Sequence, residues 1–115
     1  MLEIVKKTSN PALSVIHDYA CHKASFFGGK VLLVGDTLAL LRPHAGMRFN
    51  KAALDCLSLE KVMTGEIDIK AWEAQVTVHG ARCLAINEGL GGFFIYGVFA
   101  AFRAVLKYIW TFLPF

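Results

Sequence analysis

The sequence predicts a helix-rich α/β fold, with roughly two strands and three to four helices in a single domain over residues 1–115. Three observations predict it. Val31-Leu32-Leu33-Val34 is a short apolar run bounded by Gly28-Gly29 before and Gly35-Asp36 after, the pattern of a strand covered on both faces. Lys51 to Met63 sets Ala53, Leu54, Leu57 and Val62 among Lys51, Asp55, Glu60 and Lys61, the pattern of an amphipathic helix. Beyond it, two further stretches, residues 68–88 and 93–113, carry apolar residues at helical spacing.

Taken in order, Leu2-Glu3-Ile4-Val5 opens a short helix that ends before Pro11. Leu13 to Tyr19 alternates apolar and polar residues at its start, which predicts a strand pairing with Val31 to Val34. Gly28-Gly29 precedes that second strand and reads as a turn. Asn50 is placed to cap the helix that follows, and Thr64-Gly65-Glu66 to stop it. Asp68 then caps a helix from Ile69 toward Ile86, with Trp72, Val76, His79, Cys83 and Ile86 on its core face. Gly89-Leu90-Gly91-Gly92 predicts a break before the last helix.

Chemistry concentrates between Lys30 and Met63, KVLLVGDTLALLRPHAGMRFNKAALDCLSLEKVM. Ligands of open α/β sheets sit beyond the C-terminal ends of strands, where Gly35 allows a close turn and Asp36 offers a carboxylate to a sugar hydroxyl. Pro43, Gly46, Asn50 and Asp55 follow in order and lead into a helix, whose N-terminus presents free N–H groups and a positive dipole end to an anionic or carbonyl-rich ligand. The alternative reading of Gly35-Asp36 is an aspartate opening a turn through its own side chain.

On these residues the chain resembles the FAD-dependent aromatic hydroxylases, the class A flavoprotein monooxygenases. Their second FAD motif runs G-D-x-x-x-x-x-x-P-x-x-G-x-G-x-N-x-x-x-x-D, and Gly35, Asp36, Pro43, Gly46, Asn50 and Asp55 fall on that register without a gap. The flanks are similar to the 2,6-dihydroxypyridine-hydroxylase-like members, from Leu2 through Thr8, Pro11 and Val15-Ile16-His17-Asp18, then at Trp72-Glu73 and Leu90-Gly91. The resemblance implies the C-terminal part of a Rossmann-like FAD-binding monooxygenase fold. It also implies NAD(P)H-dependent hydroxylation of a small aromatic compound, with Asp36 anchoring the ribityl and phosphate-linker region of FAD. Gly35, Pro43, Gly46 and Asn50 would line the flavin ring and its pyrimidine edge. The sequence departs from the family in two places: the second glycine of G-x-G-x-N is Arg48, followed by Phe49, and no strand-G-x-G-x-x-G-helix for the ADP half of FAD is present. The expectation is therefore a partial FAD site that binds the cofactor weakly alone, its other half coming from elsewhere.

Other chemistries find less support. His17-Asp18-Tyr19-Ala20-Cys21-His22 gathers potential metal ligands, but no residues downstream complete a four-ligand set. His44 could titrate near a ligand, yet no partner carboxylate or nucleophile accompanies it. G-x-S-x-G, H-E-x-x-H and P-loop motifs are absent. The net charge of +3 is scattered, which gives no nucleic-acid footprint. Cys21, Cys56 and Cys83 form no C-x-x-C and leave one thiol unpaired in any disulfide scheme, which predicts an intracellular, cytoplasmic setting.

The apolar fraction of 56% exceeds the ~45–50% usual in soluble domains. Much of the excess lies in Phe93 to Phe115, where Tyr96, Ala100, Arg103, Lys107 and Thr111 form a narrow polar stripe. That helix is predicted to dock on a protein core or a partner, or to self-associate, in preference to a membrane surface. A non-catalytic helical protein that associates with a membrane or a partner through this segment is the alternative to the flavoenzyme reading.

Overall fold

The computed structural model describes residues 2–10, 12, 15–43 and 46–112. Helix α1 (Leu2–Lys7) carries Glu3 in its first turn and Lys6 and Lys7 in its last, the arrangement its dipole favours. Two small antiparallel sheets follow. Strand β1 (Tyr19–Ala20) pairs with β4 (Ala39–Leu40), and β2 (Ser25–Phe26) pairs with β3 (Val31–Leu32). Between β3 and β4, Gly35–Thr37 forms one 3-10 turn. Three helices complete the chain: α2 (Met47–Met63), α3 (Ile69–Tyr96) and α4 (Val98–Trp110).

The core lies where α3 crosses the sheets. Ala24, Leu38, Trp72 and Val76 are its buried centre, flanked by Leu32, Leu33, Val34 and Val62. Trp72 is fully buried, and its indole N–H donates to the Ser58 hydroxyl at 3.0 Å, so the largest core side chain also ties α3 to α2. Glu73, one residue on, accepts the main-chain N–H groups of Ala24 and Ser25 at 2.7 Å each, satisfying donors that the short ladder of β2 leaves over.

The mixed α/β, helix-rich class matches the expectation, but the strand pairing does not. The apolar run contributes only Val31 and Leu32 to a ladder, and Val31 is 45% exposed, so it is not a strand covered on both faces. Its partner is the neighbouring Ser25–Phe26, reached through the Phe27–Lys30 turn, and not the segment ending at Tyr19. A four-residue turn closes a hairpin at less entropic cost than a long connection. Leu13 and Ser14, where that expected strand began, lie outside the described residues.

The helices also correct the reading in three places. Helix α2 starts at Met47 with Gly46 as its N-cap, so Asn50 sits inside its first turns and does not cap it. Helix α3 begins as expected, with the Asp68 side chain accepting the Lys70 N–H at 3.0 Å, but it runs past Ile86 to Tyr96. The glycines read as a break instead make room for α4: a Cβ on Gly89 would stand 2.9 Å from the Cβ of Ala104, and one on Gly92 3.0 Å from that of Ala100. The break falls at Gly97, with φ 79° and ψ −161°, a conformation essentially confined to glycine. The predicted helix over 93–113 is therefore divided, Phe93 to Tyr96 belonging to α3. Of the predicted core face, Trp72, Val76 and Cys83 are buried and His79 is half-buried, while Ile86 is exposed. No described helix is long and apolar enough to cross a membrane.

Candidate functional site

The Gly35-Asp36 turn rests on one stripe of α2. Arg48, Ala52 and Asp55 stand at i, i+4 and i+7, so they project from the same face of the helix. Asp55 is buried, and its Oδ2 accepts the Gly35 N–H at 2.8 Å and the Lys51 ammonium at 2.5 Å. Lys51 is itself buried, 2% exposed. A buried carboxylate needs such compensation, and here a cation one helical turn away and a main-chain donor provide it. The methyl group of Ala52 completes the seat, 3.4 Å from where a Gly35 Cβ would stand. The first and last residues of the Gly-Asp motif are thus in direct contact.

Asp36 projects outward from this seat and forms an ion pair with Arg48 in which both carboxylate oxygens are engaged. The hydrogen bonds and the charge of Asp36 raise the Arg48 pKa above its ordinary value, keeping the guanidinium charged. The Asp36 main chain is held from the other side, where the Tyr19 hydroxyl donates to its carbonyl at 3.1 Å. Thr37 closes the turn through its hydroxyl, which donates to the Val34 carbonyl at 2.6 Å.

The rest of the motif divides between two faces of α2. Pro43 is exposed, and its carbonyl accepts the Gly46 N–H at 3.2 Å, forming the turn that delivers the chain to α2; His44 and Ala45, between them, lie outside the described residues. Gly46, at φ 62°, offers no side-chain cap, so the first N–H groups of α2 have no side-chain acceptor from that position. Asn50 stands about 200° round the helix from Arg48 and lies away from Asp36. It lines a separate cleft of about 130 Å³ between α2 and α3, together with Lys51, His79 and Cys83. In that cleft His79 Nε2 lies 3.6 Å from Cys83 Sγ. Burial raises the Cys83 pKa, which keeps the sulfur as a thiol and leaves it a poor nucleophile.

The approach to the motif is fixed from α3. Asn87, fully buried, pairs with the main chain of Arg42 in the amide orientation that hydrogen bonding selects, accepting its N–H at 2.8 Å and donating to its carbonyl at 3.2 Å. The Arg42 side chain binds Asp18 at 2.6 Å. Asn87 did not stand out in the sequence, and Glu73 did so only as part of the flanking resemblance at Trp72-Glu73, since each sits at an ordinary helical position. Lys51 and Asp55 were legible only as polar positions of an amphipathic helix, and their i, i+4 spacing does not distinguish a buried pair from a solvated one. Among the described residues, no group of three or more His, Cys, Asp or Glu side chains could hold a metal ion.

The fold and the site define a small helix-rich α/β protein in which a Gly-Asp turn is pinned to a helix by a buried Lys-Asp pair. No protein-family model, curated protein or solved structure matches the chain.

Proposed function

We propose that this chain is an FAD-dependent monooxygenase-like protein carrying the flavin-side half of the cofactor site. The observation that carries the reading is the hydrogen bond from the Gly35 N–H to Asp55, because it turns a spacing of motif residues into one physical unit. Asp36 would anchor the ribityl region, while Gly35, Pro43 and Gly46 belong to the loop and helix start beside the ring; Asn50, on the other side of α2, stands apart from them. Bound there, the flavin would supply the hydride and oxygen chemistry, with NAD(P)H as reductant and a small aromatic compound as substrate.

The residues present fit this cofactor in part. An uncapped helix start suits the electron-rich pyrimidine edge, and the pinned turn brings Asp36 to the surface. Arg48 opposes binding, since its guanidinium occupies the carboxylate that the ribityl hydroxyls need. FAD affinity is accordingly weak in this chain. Titration of FAD into the protein, followed by flavin fluorescence, tests the reading: saturable binding weakened by Asp36→Ala supports it. Absence of saturable binding in both the wild type and Arg48→Gly removes it.

A further inference from the structure

The turn joining α3 to α4 exposes apolar side chains on every side. Phe93, Phe94, Ile95 and Tyr96 are consecutive in a helix, so they point about 100° apart and sweep most of its circumference, yet all four are exposed. Across the turn, Val98, Phe99 and Phe102 are exposed as well, Phe99 to 89%. An amphipathic helix seeking one protein face would bury one side and solvate the other. Here no single flat surface reaches all the exposed rings, whereas a fluid apolar medium surrounds them at once.

Charge sets the depth and the kind of medium. No residue from Gly89 to Phe102 is charged. The first charges beyond this tip are Glu88 on α3 and Arg103 and Lys107 on α4. Arg103 stands six residues past Gly97, about 9 Å up the helix. That matches the ~5–10 Å to which interfacial segments enter the boundary between headgroups and acyl chains. Lys107 is paired with Glu88 at 2.6 Å, while Arg103 is exposed and makes no ion pair among the described residues. The collar around the uncharged tip is therefore net positive, with one uncommitted guanidinium for a phosphate. Helix α4, at 13 residues, extends only about 20 Å and falls short of the ~30 Å hydrocarbon core.

We propose that the α3–α4 turn is a monotopic membrane tip, in which Phe93 to Phe102 enters one leaflet of an anionic bilayer and Arg103 binds lipid phosphate at the headgroup level. This surface is independent of the flavin reading and concerns another end of α3. The tip supplies the apolar contact and the collar selects anionic lipid.

Flotation of the full chain with vesicles of phosphatidylcholine alone, and of phosphatidylcholine with phosphatidylserine, tests the proposal. The wild type is expected to float with the anionic vesicles, and Phe94→Ser with Phe99→Ser to lose at least about tenfold in partitioning. Arg103→Gln is expected to lose about fivefold on anionic vesicles and little on neutral ones. Phe94 and Phe99 are 76% and 89% exposed, so the double variant should keep the wild-type circular dichroism. As a second measurement, Phe99→Trp emission should be quenched by brominated acyl chains more strongly than that of the wild type. Wild-type protein that fails to float overturns the proposal, as does equal partitioning of the double variant. It is also overturned if light scattering finds a dimer that Phe99→Ser dissolves without any vesicle binding, which would assign the patch to a second copy of the chain.

Discussion

Arg48 hydrogen-bonds both oxygens of the Asp36 carboxylate, Nε to Oδ1 at 3.2 Å and Nη2 to Oδ2. The aspartate that the resemblance assigns to the cofactor is therefore occupied by the residue that replaces a motif glycine. Both side chains are more than a third exposed, so solvent screens the pair and it can open. Opening an exposed ion pair of this kind shifts an equilibrium by at most roughly fivefold. Arg48→Gly should consequently tighten FAD binding by about that factor from the freed carboxylate alone, read by fluorescence titration beside the wild type. Equal affinities in the two proteins would show that Arg48 does not obstruct the site.

The Lys51-Asp55 pair behaves in the opposite way, because it is buried. Removing one partner leaves an uncompensated charge in the interior, at a cost of about 3–5 kcal/mol, whereas replacing both with apolar side chains is often close to neutral. Asp55→Ala should thus be strongly destabilising, since it strands Lys51 and also orphans the Gly35 N–H. Lys51→Met combined with Asp55→Leu should recover much of that loss in urea unfolding. If the single and double variants unfold at the same midpoint, the pair has no electrostatic role.

Glu73 gives the molecule an acid sensitivity. Hydrogen bonds from the Ser25 and Ala24 N–H groups hold its carboxyl below the ordinary glutamate pKa, with Lys23 adding to the effect. A depressed folded-state pKa contributes stability that is present above the unfolded value of roughly 4.3 and is lost as pH falls through the folded value. The melting temperature of Glu73→Gln should therefore lie below that of the wild type at pH 7, with the difference shrinking as pH drops below about 4. Thermal melts across that range read it directly, and a pH-independent difference would mean that the charge of Glu73 contributes nothing.

How far the sequence discloses this architecture depends on how local each determinant is. The Asp68 cap and the stop at Thr64-Gly65 were legible because both act within one turn of the residues that signal them. The register of Gly35, Asp36 and Asp55 was legible as spacing, and the structure adds that its ends touch. The partner of Val31-Leu32 was not legible, since short apolar runs do not reveal which neighbour they pair with. Asn50 was read as a cap because asparagine favours that position, but the chain had already entered the helix at Met47. Gly89 and Gly92 were misread for a deeper reason: glycine in sequence signals either a break or a close approach, and only the position of α4 decides between them.

That ambiguity yields a sharp test at Gly89. Within a helix, Gly→Ala is ordinarily stabilising by about 1 kcal/mol, so a glycine that merely weakened α3 would be improved by the change. Here the new methyl would stand 2.9 Å from the Ala104 Cβ, and overpacking of that kind costs about 1–3 kcal/mol. Gly89→Ala should therefore lower stability despite its better helix propensity. Ala104→Gly in the same chain removes the opposing methyl and should restore part of the loss, giving a favourable coupling in a double-mutant cycle of urea unfolding. Two additive substitutions, or a Gly89→Ala protein more stable than the wild type, would mean that α4 does not pack on α3 through this pair.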